Sequence, residues 1–319
     1  MDWNHSLYLK HYLSHRGSGL DSMDICNFCD IHSNLYKGEL IMQILDGKMV
    51  AQEIKEDLYD RATKADVRPR LAIISVGEDP ASQIYVKHKI ADCDECGFDS
   101  TLYSLSDDIT TNELIAMIWK LNYNETIDGI IVQLPLPKHI DTYLVTSSIS
   151  MDKDVDCMNP FNVGKLVLGR QGFVPCTPAG ILALLDHYNI DVAGKVCTII
   201  GRSNIVGKPL GQLLLQRDAT VIQCHSKTPD LWNKTRAANI VISATGVQNL
   251  VVPMMLSTHS IGIDVGITRG EDGKIHGDFD PASWSYCDYI TPVPGGVGPM
   301  TRAMLMRNLL MACEPKCFE

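Results

Sequence analysis

Ser82, Tyr85 and Lys89 stand at i, i+3 and i+7 of a stretch that reads as helix, so a hydroxyl, an aromatic plate and an amine share one face. Asp79 is placed to cap that helix, Pro80 to occupy its first position and Gly97 to stop it. Val86, Ile90 and Cys93 form an apolar stripe beside the polar face. A lysine becomes a base when burial or a cationic neighbour favours its neutral amine. A solvated lysine and a half-buried tyrosine on a surface helix is the bland alternative, and on this trio alone both readings stay open.

Two further pieces offer partners for such a site. Gly129-Ile-Ile-Val-Gln133 reads as a buried strand ending in an amide, followed by a stiff Pro-x-Pro turn. Lys153-Asp-Val-Asp156 puts a carboxylate in a loop, where it can pair with the amino and ring N–H donors of a heterocycle. Tyr-x-x-x-Lys is also the pair of short-chain dehydrogenases, but there it follows the nucleotide-binding glycines, and here it precedes them.

The apolar run 196–200 leads into Gly201-Arg-Ser-Asn-Ile-Val-Gly207 and then an apolar helix, an order that sets a pyrophosphate at a helix N-terminus. Ser203 replaces the middle glycine of the usual pattern, and the last glycine comes one residue late. The next strand ends in Gln223-Cys-His-Ser-Lys227, without the acid that grips a ribose 2′-hydroxyl. Ser226 and Lys227, with Arg202, suit a 2′-phosphate, which favours NADP over NAD. Thr245-Gly246 and Asp264-Val-Gly266 end the following strands with small residues that let a ribose approach the backbone. Near the C-terminus, Thr291-Pro-Val-Pro-Gly-Gly-Val-Gly-Pro combines stiff and bare backbone, which suggests main chain pressed against a ligand.

The elements that must position these residues alternate. Strands are expected at 71–76, 101–105, 129–133, 196–200, 220–223, 240–244 and 261–265, and helices near 80–96, 112–121, 179–187 and 303–311. The stretch between 137 and 178 reads as irregular. Short apolar strands separated by helices mean parallel sheets covered on both faces, hence an α/β chain of two lobes. With 319 residues, each lobe can hold its own core. The net charge of −10 and the lack of a Lys/Arg block argue against nucleic acid. No apolar run reaches the length of a membrane span. Eleven scattered cysteines and no secretory signal point to reduced thiols in the cytoplasm. The pairs Cys26/Cys29 and Cys93/Cys96 lie too far apart for a compact zinc ribbon, so no metal is expected. Residues 1–41 are polar and aperiodic, and read as a poorly ordered extension.

In order along the chain, Val76-Gly-Glu-Asp-Pro-Ala-Ser with Tyr85 and Lys89, Val132-Gln-Leu-Pro-Leu-Pro, Lys153-Asp-Val-Asp, Pro175-Cys-Thr-Pro, the Gly201 loop and the 292–299 loop resemble the bifunctional methylenetetrahydrofolate dehydrogenase/methenyltetrahydrofolate cyclohydrolase family. The likeness covers nearly all of 42–313. It implies a folate-binding catalytic lobe at 42–178 completed by 296–319, a Rossmann-like NADP lobe at 179–295, and a homodimer acting on tetrahydrofolate derivatives. It carries over Lys89 as the central catalytic residue, with Gln133 tuning it and Tyr85 as a wall beside it. Ser82, Asp156 as pterin anchor, Pro294 and Gly295 are carried over to the substrate. Gly201, Arg202, Ser203, Ile205, Ser226, Thr245, Gly246, Ile267, Gly298 and Thr301 are carried over to the cofactor. Cys157 departs from the family's glycine after the anchoring aspartate, and Asn239 from a usual aspartate.

Overall fold

The computed structural model describes residues 42–270 and 272–313, so the 1–41 extension, with Cys26 and Cys29, lies outside the described residues. The chain begins with β1 (Gln43–Ile44) and α1 (Gly47–Ala65), then alternates through β2 (Arg70–Val76), α2 (Pro80–Glu95), β3 (Asp99–Leu105), α3 (Thr111–Asn122) and β4 (Gly129–Val132). Three helices follow, namely α4 (Thr142–Ser147), α5 (Pro160–Val167) and α6 (Cys176–His187). Alternation then resumes with β5 (Val196–Ile200), α7 (Gly207–Leu215), β6 (Thr220–Cys224), α8 (Leu231–Arg236), β7 (Ile240–Ser243) and β8 (Ser260–Asp264). A small antiparallel pair, β9 (Thr268–Arg269) and β10 (Ile275–His276), precedes β11 (Cys287–Ile290) and the final helix α9 (Val297–Cys313).

Two parallel sheets result. One runs β3-β2-β4, the other β1-β11-β8-β7-β5-β6. Each strand's side chains alternate between faces, and both faces are covered. Leu71 and Ile73 pack with Leu58 of α1, Val86 and Cys93 of α2, and Met304, Leu305, Met306, Leu309 and Leu310 of α9. Ala72, Ile74 and Val76 point the other way, onto Leu114, Ile118 and Leu121 of α3. That two-sided burial is why β2 is an unbroken apolar run. Ile73 is 0 % exposed, and its truncation to alanine costs about 2–5 kcal/mol. In the larger sheet, Cys197 and Ile199 meet α6 and α7 together with Val297, Met300 and Ala303 of α9. The last helix therefore enters both cores.

Two differences from the sequence reading stand out. Residues 42–44, expected in the first lobe, edge the larger sheet: β1 pairs in parallel with β11, Gln43 opposite Tyr289 and Ile44 opposite Ile290. The stretch after Pro137 contains α4 and α5, capped by Asp141 and by Asn159-Pro160. Among the described residues no helix is long and apolar enough to cross a membrane.

Candidate active site

In both sheets the strand order reverses direction beside the first strand of the unit, between β2 and β4 and between β5 and β7. Such switch points open a crevice at the carboxyl ends of the strands. Lys89 and Gln133 meet at the first of these. Asp79 starts α2 by accepting the Ser82 amide at 2.8 Å, and that amide holds the Asp79 carboxyl below its ordinary range. The helix then buries Val86 and Cys93, leaving Lys89 half-buried and Tyr85 42 % exposed on the adjoining face, with Ser82 buried. Gln133 follows β4, and its backbone amide continues the ladder to the Ile74 carbonyl at 2.8 Å. Its side-chain Nε2 donates to the Leu134 carbonyl at 2.7 Å, and its Oε1 accepts from Lys89 Nζ at 3.0 Å.

Asp156 lies half-buried in the loop beyond β4. Asp154 organises that loop, accepting from the Met158 amide, the Asn159 amide and Asn162 Nδ2, each at 2.8 Å. Cys157, where the resemblance expects glycine, takes the left-handed conformation at φ 56° and is buried with its Sγ 3.2 Å from the Phe173 carbonyl. The turn thus keeps a glycine-like backbone with a side chain attached, at a steric cost of roughly 1–2 kcal/mol. Cys176, at the start of α6, links this loop to the amine. Burial and then the Asp156 carboxylate push its thiol well above the ordinary range, while Lys89 pulls it down.

At the second crevice, Ile200, Ser243 and Asp264 lie side by side on the last rung of β5, β7 and β8. Gly201 leaves β5 at φ 128°, and a Cβ there would stand 2.5 Å from the Ala244 carbonyl oxygen, so only glycine fits. Ser203 acts locally, because its Oγ accepts from the Val206 and Gly207 amides at 3.2 and 3.4 Å and so caps α7. Arg202, Ser203 and Ile205 are exposed. After β6, the 225–228 turn closes on itself through the His225 amide to Thr228 Oγ1 at 2.8 Å, with Ser226 half-buried and Lys227 exposed. Thr268 Oγ1 donates to the Gly246 carbonyl at 2.9 Å, and Gly246 and Ile267 are exposed.

The Pro-Gly loop leaves β11 on the same side. Part of its composition has an internal reason: a Cβ on Gly47 would collide with the Gly296 carbonyl, so the two backbones are in contact. Gly296 also donates to the Pro292 carbonyl at 2.8 Å. Pro294 and Gly298 remain exposed and Gly295 half-buried, while Thr301 Oγ1 lies 3.0 Å from Thr177 Oγ1.

Two arrangements escaped sequence reading. Asp278 is fully buried and accepts from Ser243 Oγ at 2.7 Å, from the Thr245 amide and hydroxyl at 2.8 Å, and from the Val247 amide at 3.0 Å. It thereby fixes the Thr245-Gly246 turn. Behind Lys89, Asp92 of α2 sits 3.2 Å from Lys55 Nζ and 3.1 Å from Arg302 Nη1, the latter an ion pair without hydrogen-bond alignment. Lys55 also meets Glu95. Only the Gly277-Asp278 pair before an apolar residue hinted at the first, and nothing local signals the second. Cys93 and Cys96 are buried, and burial raises both thiols.

Residues 45–156 match the catalytic domain of the tetrahydrofolate dehydrogenase/cyclohydrolase family, and residues 175–317 match its NAD(P)-binding domain. The chain is 49% identical over 280 residues to the bifunctional protein FolD of Campylobacter concisus, covering 86% of this chain and 99% of that one. The crystal structure of the bifunctional enzyme FolD from Campylobacter jejuni superposes with a TM-score of 0.84 at 48% identity, covering 86% of this chain and 99% of that one. The Trypanosoma brucei methylenetetrahydrofolate dehydrogenase-cyclohydrolase, complexed with NADP cofactor and inhibitor, gives 0.81 at 36% identity, covering 86% and 97%. On these matches, spread over both lobes, the chain belongs to the tetrahydrofolate dehydrogenase/cyclohydrolase family.

Proposed function

We infer that this enzyme oxidises 5,10-methylenetetrahydrofolate to the 5,10-methenyl cation with NADP⁺ and then hydrolyses that cation to 10-formyltetrahydrofolate. Within the family assignment, the observation that carries the reading is the Lys89–Gln133 hydrogen bond at the carboxyl end of the smaller sheet. In the second step water adds to the methenyl carbon, one C–N bond opens and a proton is released. Lys89, held by Gln133 at the crevice, is placed to assist the attacking water. Gln133 holds the amine in register, Tyr85 walls the site, and Asp156 pairs with pterin donors. Ser82, Pro294 and Gly295 complete the substrate pocket.

The second crevice fits NADP. Apart from their own chain neighbours and local helix backbone, nothing lies within 4 Å of where a Cβ on Gly246 or Gly298 would stand, which leaves room for a ribose and a nicotinamide. Arg202, Ser226 and Lys227 offer donors and positive charge for a 2′-phosphate, and Gln223 to Thr228 contains no acid. Gly201, Ser203, Ile205, Thr245, Ile267 and Thr301 line the remaining cofactor path. The chemistry supplied by the bound nicotinamide is acceptance of hydride from the folate methylene carbon. The chain's own part in that step is to hold the two reactants close.

The folate lobe spans 45–178 with 296–313, and the NADP lobe spans 179–295 with β1 added at its sheet edge. The enzyme works as a cytoplasmic homodimer, with β6 an available sheet edge for pairing. An absorbance assay with methylenetetrahydrofolate tests the whole reading. Reduction of NADP⁺ in preference to NAD⁺, with methenyl product that forms and then disappears, is expected. Persistent methenyl product would leave only the dehydrogenase.

A further inference from the structure

Asn308 of α9 reaches both loops that frame Asp156. Its Nδ2 donates to the Val155 carbonyl at 2.8 Å and to the Val174 carbonyl at 2.9 Å, and lies 3.7 Å from Cys176 Sγ. A carboxamide nitrogen has two hydrogens, and these two carbonyls use both. Asn308 is buried, so water is no ready substitute. Val155 directly precedes Asp156, and Val174 leads into Cys176, whose thiol lies in the fields of both Asp156 and Lys89. Neither 155 nor 174 lies in a strand or helix, so no ladder fixes their separation.

We propose that Asn308 is a positioning residue for Asp156, setting the carboxylate for pterin recognition without itself touching the substrate. The proposal rests on the reading of Asp156 as the pterin anchor. A leucine at 308 keeps the volume but removes the side-chain donor from the Val174 carbonyl and leaves the Val155 carbonyl only the weak Cys176 thiol at 3.6 Å, which frees the Asp156 loop to shift against Cys176. Binding of folate suffers, while the nucleotide crevice, held by other residues, does not.

Steady-state kinetics of Asn308→Leu, Asp156→Asn and the double variant decide this. Asn308→Leu should raise KM for methylenetetrahydrofolate about tenfold, with kcat and KM for NADP⁺ within about twofold of the parent. On the Asp156→Asn background the same change should add less than about twofold, because both act through one carboxylate. Asn308→Ser, smaller and retaining one donor, covers a folding failure of the leucine variant and should shift folate KM about threefold. Multiplicative effects in the double variant, equal rises in KM for both substrates, or loss of soluble protein in both variants without a KM shift would overturn the proposal. An unchanged folate KM in Asp156→Asn alone would instead remove the anchor reading, and this proposal with it.

Discussion

Lys89 Nζ donates to Gln133 Oε1 at 3.0 Å, and the other end of that amide is already committed to the Leu134 carbonyl at 2.7 Å. The amide therefore cannot rotate to offer Lys89 its nitrogen without losing a hydrogen bond. An acceptor therefore faces the amine and keeps one of its N–H groups occupied.

Lys89→Met should lower cyclohydrolase turnover by roughly 10²–10⁴-fold, the usual worth of a positioned proton acceptor. Hydride transfer relies on placement and should fall less. Methenyl product would then accumulate in the coupled assay, and full hydrolysis by the variant would contradict the role given to the amine.

Asp278→Asn should act on the other lobe. One carboxylate now accepts four hydrogen bonds from Ser243, Thr245 and Val247. An amide replaces one acceptor oxygen with a donor that faces other donors. KM for NADP⁺ should rise by about tenfold or more, as expected for losing hydrogen bonds to a charged group. Folate KM should stay within about twofold. Titrating the cofactor by fluorescence checks the affinity directly.

Arg202→Ala should change cofactor choice more than activity. It removes a cation proposed to meet the 2′-phosphate, and NADP⁺ has that phosphate while NAD⁺ does not. The ratio of kcat/KM for NADP⁺ over NAD⁺ should fall by about tenfold. Equal loss with both cofactors would place Arg202 on the shared pyrophosphate.

Stability should depend on pH through Asp264. Burial pushes its carboxyl up to about 6, against the opposing pull of the Asp278, Phe279 and Gly266 amides. The folded value lies above the ordinary 3.8, so the folded protein binds this proton more tightly than the unfolded chain. The stabilisation is full below the unfolded value and lost as pH rises through about 6. The carboxamide introduced by Asp264→Asn cannot titrate. The unfolding free energy of the parent minus that of the variant should therefore grow by roughly 2 kcal/mol between pH 7 and pH 4. Denaturant midpoints at several pH values measure it, and a pH-independent difference would refute the assignment.

Much of the scaffold was legible because burial on two faces leaves a local trace. The 71–76 and 196–200 runs are apolar throughout, and Asp79-Pro80 announces a helix start. α4 and α5 were not legible, since six and eight residues give too few turns for a period to show. β1 is two residues long and depends on β11, far away in sequence. Lys89, Gln133 and Asp156 could be nominated from residue type and place. Asp278, Asn308 and the Lys55–Asp92–Arg302 group could not, because each is defined by partners that only the folded chain brings near. The glycine at 296 adds a reason that the sequence did not show, since the bare loop also fits against Gly47.

The final helix has a consequence for how the protein is made. Val297, Met300 and Ala303 fill the core beneath the larger sheet, and Met304, Leu305, Met306, Leu309 and Leu310 fill the one beneath the smaller. During translation the growing polypeptide therefore carries two incomplete hydrophobic interiors until α9 has emerged from the ribosome. Neither half can be finished before that helix arrives, so both chemistries become available together.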